Sequence, residues 1–169
     1  LADADTRNRA VERYIAKAVD PKRPEMAEQL RVSAARALAL FPVPRETQDR
    51  LDRFVETLLR WQDKLNLIGN STIGEIWTRH VADSLQLLPL APQARTWVDL
   101  GSGGGFPGMV IACALAEEAE TRVHLVESNG KKAAFLREAA SLYGVVEKPA
   151  ARIFHRFQAR SRTARLIAS

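Results

Sequence analysis

One cysteine, Cys113, occurs among 169 residues. That excludes an internal disulfide framework and any multi-cysteine zinc site, and it fits a reducing cytosol. No apolar run approaches the ~18 residues of a transmembrane helix. The first residues, Leu1-Ala-Asp-Ala-Asp-Thr-Arg, are too charged for a secretory signal. What is present suffices for a globular core, with 46% apolar and 27% charged residues. The net charge of +5 is unevenly spread: six basic side chains follow Glu147 and no acid does, so the first 147 residues sum to −1. A basic tail suits nucleic acid or another polyanion; a solvated, disordered end explains it equally well.

The chain reads in three parts: a helical arm (1–40), a helical region (41–92) and an α/β core (93–169). In the arm, Val11, Tyr14, Ile15 and Ala18 share one helical face and Leu30, Ala34, Ala37 and Leu38 another. Asp20 to Pro24 separates them. The arm is charged and Ala-rich, with little bulk to bury. After Phe41-Pro-Val-Pro44, a helix is predicted over Arg45–Leu65, with Leu51, Phe54, Val55, Leu58 and Trp61 inward. A second is predicted over Gly74–Leu88, with Ile76, Val81, Leu85 and Leu88 inward, ended by Pro89 and Pro92.

The pattern then changes. Thr96–Leu100 reads as a short strand entering Gly101-Ser-Gly-Gly-Gly105, and Pro107 opens a helix carrying Val110, Ile111, Ala114 and Leu115. Arg122–Val126 is a second strand ending at Glu127. Gly130–Tyr143 is a helix, with Gly144 a fitting C-cap. This order is the start of a doubly wound parallel sheet of Rossmann-like type, here only partial.

The Gly-rich turn carries the chemistry. Bare backbone at a strand end lets a ligand approach where a Cβ would collide, and the helix start beyond it offers free N–H groups. Counted from Gly101, the sixth position of a dinucleotide fingerprint is Phe106, too large for close helix–strand packing. The spacing that fits is acid-x-Gly-x-Gly-x-Gly, at Asp99, Gly101, Gly103 and Gly105. It resembles the first motif of methyltransferases that use S-adenosylmethionine (AdoMet). Glu127, 22 positions past Gly105, can accept both ribose hydroxyls of an adenosine. Asp99 either holds the turn, meets the cofactor's ammonium, or caps the following helix.

Gly101-Ser-Gly-Gly-Gly-Phe-Pro-Gly108, Arg79-His80-Val-Ala-Asp83-Ser84, Glu127-Ser-Asn-Gly-Lys131-Lys-Ala-Ala-Phe-Leu136 and Trp61-Gln-Asp-Lys-Leu-Asn66-Leu67 occur together. In combination they resemble the ribosomal RNA small subunit methyltransferase G family, formerly glucose-inhibited division protein B, over Phe41 to Tyr143. The resemblance implies AdoMet-dependent methylation of guanine N7 in 16S ribosomal RNA of the small subunit, in the bacterial cytoplasm, without metal or membrane. It implies cofactor contacts at Gly101, Gly103, Gly105 and Phe106. Glu127 stands where that family usually has Asp. Ile153 and Phe154 fall near the adenine, although the family usually has an acid at the latter position, and Arg165 falls at the cofactor. His80, Asp83 and Ser84 fall in the substrate cleft. Lys131, Lys132 and Arg152 are candidate RNA contacts; cations at a helix start sit against the macrodipole, which suits a phosphate partner, and simple solvation explains Lys131 and Lys132 equally well. His124, Cys113, Trp61 and Trp77 are read as packing, and His155 is assigned nothing.

After Gly144 the chain departs from that family, and only 70 residues follow Asp99. A chain cut short or a damaged reading frame would account for both. Strands are therefore expected near Trp97, Val123, Val146 and Ser161, about five at most, with residues after Gly144 poorly matched to a regular sheet. Apolar surface near Val98 and Val110 should be exposed, and turnover is not expected. Two rivals stay open: a non-catalytic AdoMet- or RNA-binding remnant, and a nicotinamide-dependent oxidoreductase.

Overall fold

The structure, a computed structural model, describes residues 11–142 and the backbone of Ala151–His155. Helix α1 (residues 11–18) buries Val11, Tyr14 and Ile15. The Trp77 indole N–H donates to the Tyr14 hydroxyl at 2.8 Å, with both rings inside the core. The expectation of an arm with little to bury is thus corrected: one aromatic residue supplies the bulk that the alanines lack.

Helix α2 (Pro24–Leu40) starts on proline and packs through Leu30, Ser33, Ala34 and Ala37. The small residues of that stripe let it approach residues 70–82 closely. The Ser33 hydroxyl accepts from the Thr78 N–H at 3.1 Å, and Gln29 fills the space that a side chain on Gly74 would need.

Helix α3 (Arg45–Gln62) is strongly amphipathic and buries Leu51, Phe54, Val55, Leu58 and Leu59. It stops three residues short of the predicted Leu65, because the Gln62 side chain captures the N–H groups of Leu67 and Ile68 and turns the chain back. The predicted single helix over Gly74–Leu88 is also corrected. A 3₁₀ segment (Asn70–Glu75) leads into a π turn (Trp77–Ala82) and a short helix, α4 (Asp83–Leu85). In a straight α-helix His80 would line up with Ile76, four residues earlier. The wider turn keeps Ile76, Trp77 and Val81 buried while His80 stays half-buried. Single π turns of this kind are frequent at functional sites.

Strands β1 (Thr96–Leu100), β2 (Arg122–Glu127) and β3 (Ala151–His155) form a parallel sheet in that order. Trp97 pairs with Val123 and Val123 with Ala151. Helices α5 (Gly108–Ala114) and α6 (Gly130–Leu142) make the crossovers. This is a partial Rossmann-like methyltransferase sheet. The third strand lies at 151–155 in regular register with β2, which corrects the expectation of poor sheet geometry after Gly144. The positions of Val146, Ser161 and the Gly144 cap lie outside the described residues.

The helices cover the face of Val123 and Leu125, both buried. On the opposite face Val98 is 59% exposed and Leu100 77%. Exposed apolar surface at Val98 is as expected; at Val110 it is not. Val110 is fully buried, because α5 is enclosed between the sheet and α3 and is apolar on every side. Cys113 sits on this helix, and burial pushes its thiol up to about 12.

Candidate functional site

The turn after β1 is built from glycines that only glycine tolerates well. Gly101, Gly103 and Gly105 have φ of 78°, 52° and 88°, in the left-handed region. The turn is stitched to the end of β2, since the Gly101 and Ser102 N–H groups both donate to the Val126 carbonyl, at 2.8 and 3.1 Å. Ser102 is buried and donates to the Asp99 carbonyl at 3.0 Å. Nothing lies within 4 Å of the place a Cβ on Gly101 would occupy, so the backbone there is open to a ligand.

Asp99 holds the far side. Its carboxylate accepts the Gly108 N–H at 3.0 Å, at the first turn of α5. Of the three readings open in the sequence, this geometry matches the cap. Burial raises the Asp99 pKa, against the bonds from Gly108 and Ser102 that favour the charged form. Gly108 itself is pressed between elements: a Cβ there would meet Leu125, and would come within 2.6 Å of Asp99 Oδ2.

Glu127, at the end of β2, is buried and already engaged. One carboxylate oxygen accepts the Gly103 N–H at 2.8 Å, the other the Asn129 N–H at 2.7 Å. It braces the Gly turn before any ligand arrives, and each oxygen keeps a second lone pair for a hydroxyl. Asn129 in turn caps α6, its Oδ1 accepting the N–H groups of Lys131 and Lys132 at 3.0 and 3.2 Å. The two lysine side chains are set at the first turn of α6, two and three residues past that cap.

Phe106 faces a shallow cleft of about 270 Å³ with Arg79, His80, Asp83, Ser84 and Leu87. Its ring lies 4.9 Å from the His80 ring and 5.3 Å from Phe54. The Thr72 hydroxyl donates its single proton to the Gly69 carbonyl at 2.8 Å. It therefore accepts from His80 Nε2, at 2.9 Å, which leaves Nδ1 as the acceptor of the neutral ring. Burial lowers the His80 pKa, Asp83 opposing and Arg79 assisting, which favours that neutral form. The Ser84 hydroxyl is turned back to the His80 carbonyl at 2.6 Å. Asp83 accepts from Gln86 at 3.0 Å.

The fold thus brings Gly101, Gly103, Gly105, Phe106 and Glu127 together and sets His80, Asp83 and Ser84 across the cleft. In β3, Arg152, Ile153 and Phe154 pair with His124, Leu125 and Val126, which puts Phe154 beside the residue preceding Glu127. Arg165 lies outside the described residues. His124 is half-buried within β2, and Trp61 packs at 6.0 Å from Phe135. Among the described residues no cluster of ligating side chains could hold a metal ion, and no helix is long and apolar enough to cross a membrane.

A family model described as rRNA small subunit methyltransferase G matches residues 47–154, a span that contains the turn, Glu127 and the cleft. The chain belongs to the rRNA small subunit methyltransferase G family. A relative in Bradyrhizobium sp. (strain BTAi1) named ribosomal RNA small subunit methyltransferase G is 66% identical over 110 residues, covering 65% of this chain and 50% of its own. The protein of the same name in Nitrobacter hamburgensis is 64% identical, covering 65% and 42%. One in Rhodopseudomonas palustris (strain BisB18) is 61% identical over 124 residues, covering 73% and 51%. The chain spans about half the length of the curated relatives it matches.

Membership in this methyltransferase G family accounts for the turn where a spacing rule did not. Counted from Gly103, the segment Gly103-Gly-Gly105-Phe-Pro-Gly108 does satisfy Gly-x-Gly-x-x-Gly, and Gly108 makes the close helix–strand packing that the third glycine provides. Phe106 therefore does not disqualify a dinucleotide site; the family match is what sets the nicotinamide reading aside. Three residues of the site escaped the sequence reading: Gln62, Thr72 and Leu67. Gln62 and Leu67 fall in the Trp61–Leu67 segment of the resemblance, and no motif of the sequence marked Thr72.

Proposed function

We propose that this chain carries the cofactor site and part of the base pocket of an AdoMet-dependent methyltransferase acting on guanine N7 of 16S ribosomal RNA in the bacterial cytoplasm. The observation that carries the reading is the open backbone at Gly101 beside a buried Glu127 that braces Gly103. The residues present fit AdoMet. Glu127 takes the ribose hydroxyls, the bare turn from Gly101 to Gly105 takes the methionine portion, and Ile153 and Phe154 border the adenine. When bound, AdoMet supplies an electrophilic methyl carbon.

Guanine N7 has a lone pair and no proton, so the protein needs no general base. Its task is alignment and exclusion of water, which supplies roughly 7–11 kcal/mol in favourable systems. Phe106 and His80 form one wall of the base pocket. The acceptor Nδ1 of a neutral His80 suits the N–H groups on the guanine edge. Asp83 and Ser84 lie on the same rim. Lys131, Lys132 and Arg152 contact the RNA backbone, with the loop base splayed out of its stack into the cleft. The arm (1–40), helical region (41–92) and α/β core (93–169) are the units we assign to this work.

Calorimetric titration with AdoMet tests the site. The wild-type chain should bind, and Gly103→Val should not, because a β-branched side chain at φ 52° both strains the turn and fills the approach. Unchanged affinity in that variant places the ligand elsewhere. Binding to small-subunit RNA should weaken steeply with salt as counterions are released; a flat response removes nucleic acid from the reading. A second reading, binding of AdoMet without turnover, is favoured by the uncovered sheet face at Val98 and Leu100. Labelled methyl transfer to small-subunit RNA separates the two.

A further inference from the structure

The Gly turn does not stand by itself. The Leu67 carbonyl occupies the position that a side chain on Gly104 would take, 2.8 Å from the ideal Cβ, with Ile68 alongside at 3.4 Å. The cofactor turn therefore rests on the loop after α3. That loop has no regular hydrogen bonding of its own between Asn66 and Gly69. Thr72 holds its far end, through the Gly69 carbonyl, and one buried side chain holds the rest. Gln62 Oε1 accepts the N–H groups of Leu67 and Ile68, both at 3.1 Å. Gln62 Nε2 donates to the Ile68 carbonyl at 2.9 Å and to Asn70 Oδ1 at 3.1 Å. All four bonding directions of the amide are used, and the residue is 7% exposed. From the same loop, Thr72 bonds the Gly69 carbonyl and His80, whose ring stacks on Phe106.

We propose that Gln62 is a positioning residue of the cofactor site: it clamps the loop 67–70 on which Gly104 rests, and through Thr72 it sets the His80–Phe106 wall. The inference rests on the methyltransferase reading above for what the turn binds, and on geometry alone for what holds the turn. An amide is required because the loop presents both donors and an acceptor to one side chain. A carboxylate offers only acceptors. Asn70 can rotate its amide to meet a carboxylate, but the Ile68 carbonyl cannot become a donor. A protonated carboxyl, with one O–H and one acceptor oxygen, restores both kinds of bond.

Gln62→Glu therefore gives a variant that can be switched by pH. Burial beside a carbonyl raises the new carboxyl above its ordinary value near ~4.3. Below its pKa the clamp is intact; above it the loop is released. The readout is the amide resonances of Gly103 and Gly104 in the ligand-free chain, followed from pH 5 to 8, with the Trp77 indole resonance reporting the core. Asp20, Arg23 and Asp63 line the depression next to Gln62, and they and His80 are the same in wild type and variant, so wild type is the control.

The expected result is a titration of both glycine amides in Gln62→Glu that is absent from wild type, with the Trp77 signal unmoved. AdoMet affinity should fall about tenfold or more over the same pH midpoint, the scale of leaving a buried polar group unpaired. Glycine amides that behave as in wild type overturn the proposal. So does loss of the Trp77 and glycine signals together, which would make Gln62 a general stability residue. If wild type itself binds no AdoMet, the cofactor reading fails while the resonance test still decides the clamp.

Discussion

Replacing Gly108 by alanine adds one methyl group at the tightest helix–strand approach in the site. The new Cβ would run into Leu125, and lie 2.6 Å from Asp99 Oδ2 and 2.9 Å from Asp99 Cβ. Leu125 is fully buried in β2 and has no room to withdraw, so α5 must lift from the sheet. Overpacking of this kind costs about 1–3 kcal/mol. Alanine's better helix propensity returns at most ~1 kcal/mol, and less at the first helical position, where Gly108 sits. Gly108 is not among the glycines with positive φ, so backbone strain adds nothing. The net expectation is a loss of about 1–2 kcal/mol. For a chain of this size that lowers Tm by roughly 2–8 °C, since each kcal/mol moves it ~2–4 °C. The displaced helix also breaks the Asp99–Gly108 bond, so AdoMet affinity should fall with stability. Thermal unfolding of Gly108→Ala, Leu125→Val and the double variant gives the coupling. Shortening Leu125 should recover part of the loss, with an interaction of about 0.5–3 kcal/mol. A Tm for Gly108→Ala equal to or above wild type would refute the close approach.

Glu127→Gln keeps the shape but removes the charge that two N–H groups share, at Gly103 and Asn129. AdoMet affinity should drop about tenfold, the worth of a charge-assisted bond weakened to a neutral one, while calorimetry at unchanged affinity would remove Glu127 from the ribose role. Asp52 gives a pH effect with a definite sign. It is buried in α3, and burial, then the charge of Asp49, raises its pKa to about 7 against the opposing influence of Gln48 and Arg13. The folded chain holds that proton where the unfolded chain has released it, so stability falls as pH rises from about 4 to 7, by at most ~4 kcal/mol. Denaturant unfolding of Asp52→Asn should flatten that slope and be the more stable protein at pH 8; a variant with the wild-type slope would show that another group carries it.

Much of the site could be read locally. Three glycines with positive φ, a short strand before them and an acid closing the next strand are constraints imposed by neighbouring residues. Periodicity likewise marked α3, because Leu51, Phe54, Val55 and Leu58 need only one partner surface to become a core. Other features depend on residues far apart in the chain. Gln62 looks like any polar residue near a helix end until the loop at 67–70 folds back on it. Gly108 reads as a helix start until Leu125 is placed beneath it. His80 sits in line with Ile76 on an ideal helix, and only the π turn, with Trp77 anchored on Tyr14, takes it to the cleft.

The amino-acid order by itself determined the strand–turn–helix unit, the glycine turn and the family, because the first two depend on backbone geometry within a few residues and the third on motifs contiguous in the chain. Tertiary structure alone decided that the first helix belongs to the core, that α5 is buried between the sheet and α3, and that Leu100 joins Val98 on the exposed face of the sheet. Burial is a property of what packs from elsewhere, and a side chain's own identity does not state who its neighbours will be. The same reason governs Glu127. Its place at the end of β2 was legible, but that both its oxygens brace the turn follows from β1 and β2 lying side by side in register, which only the folded sheet establishes.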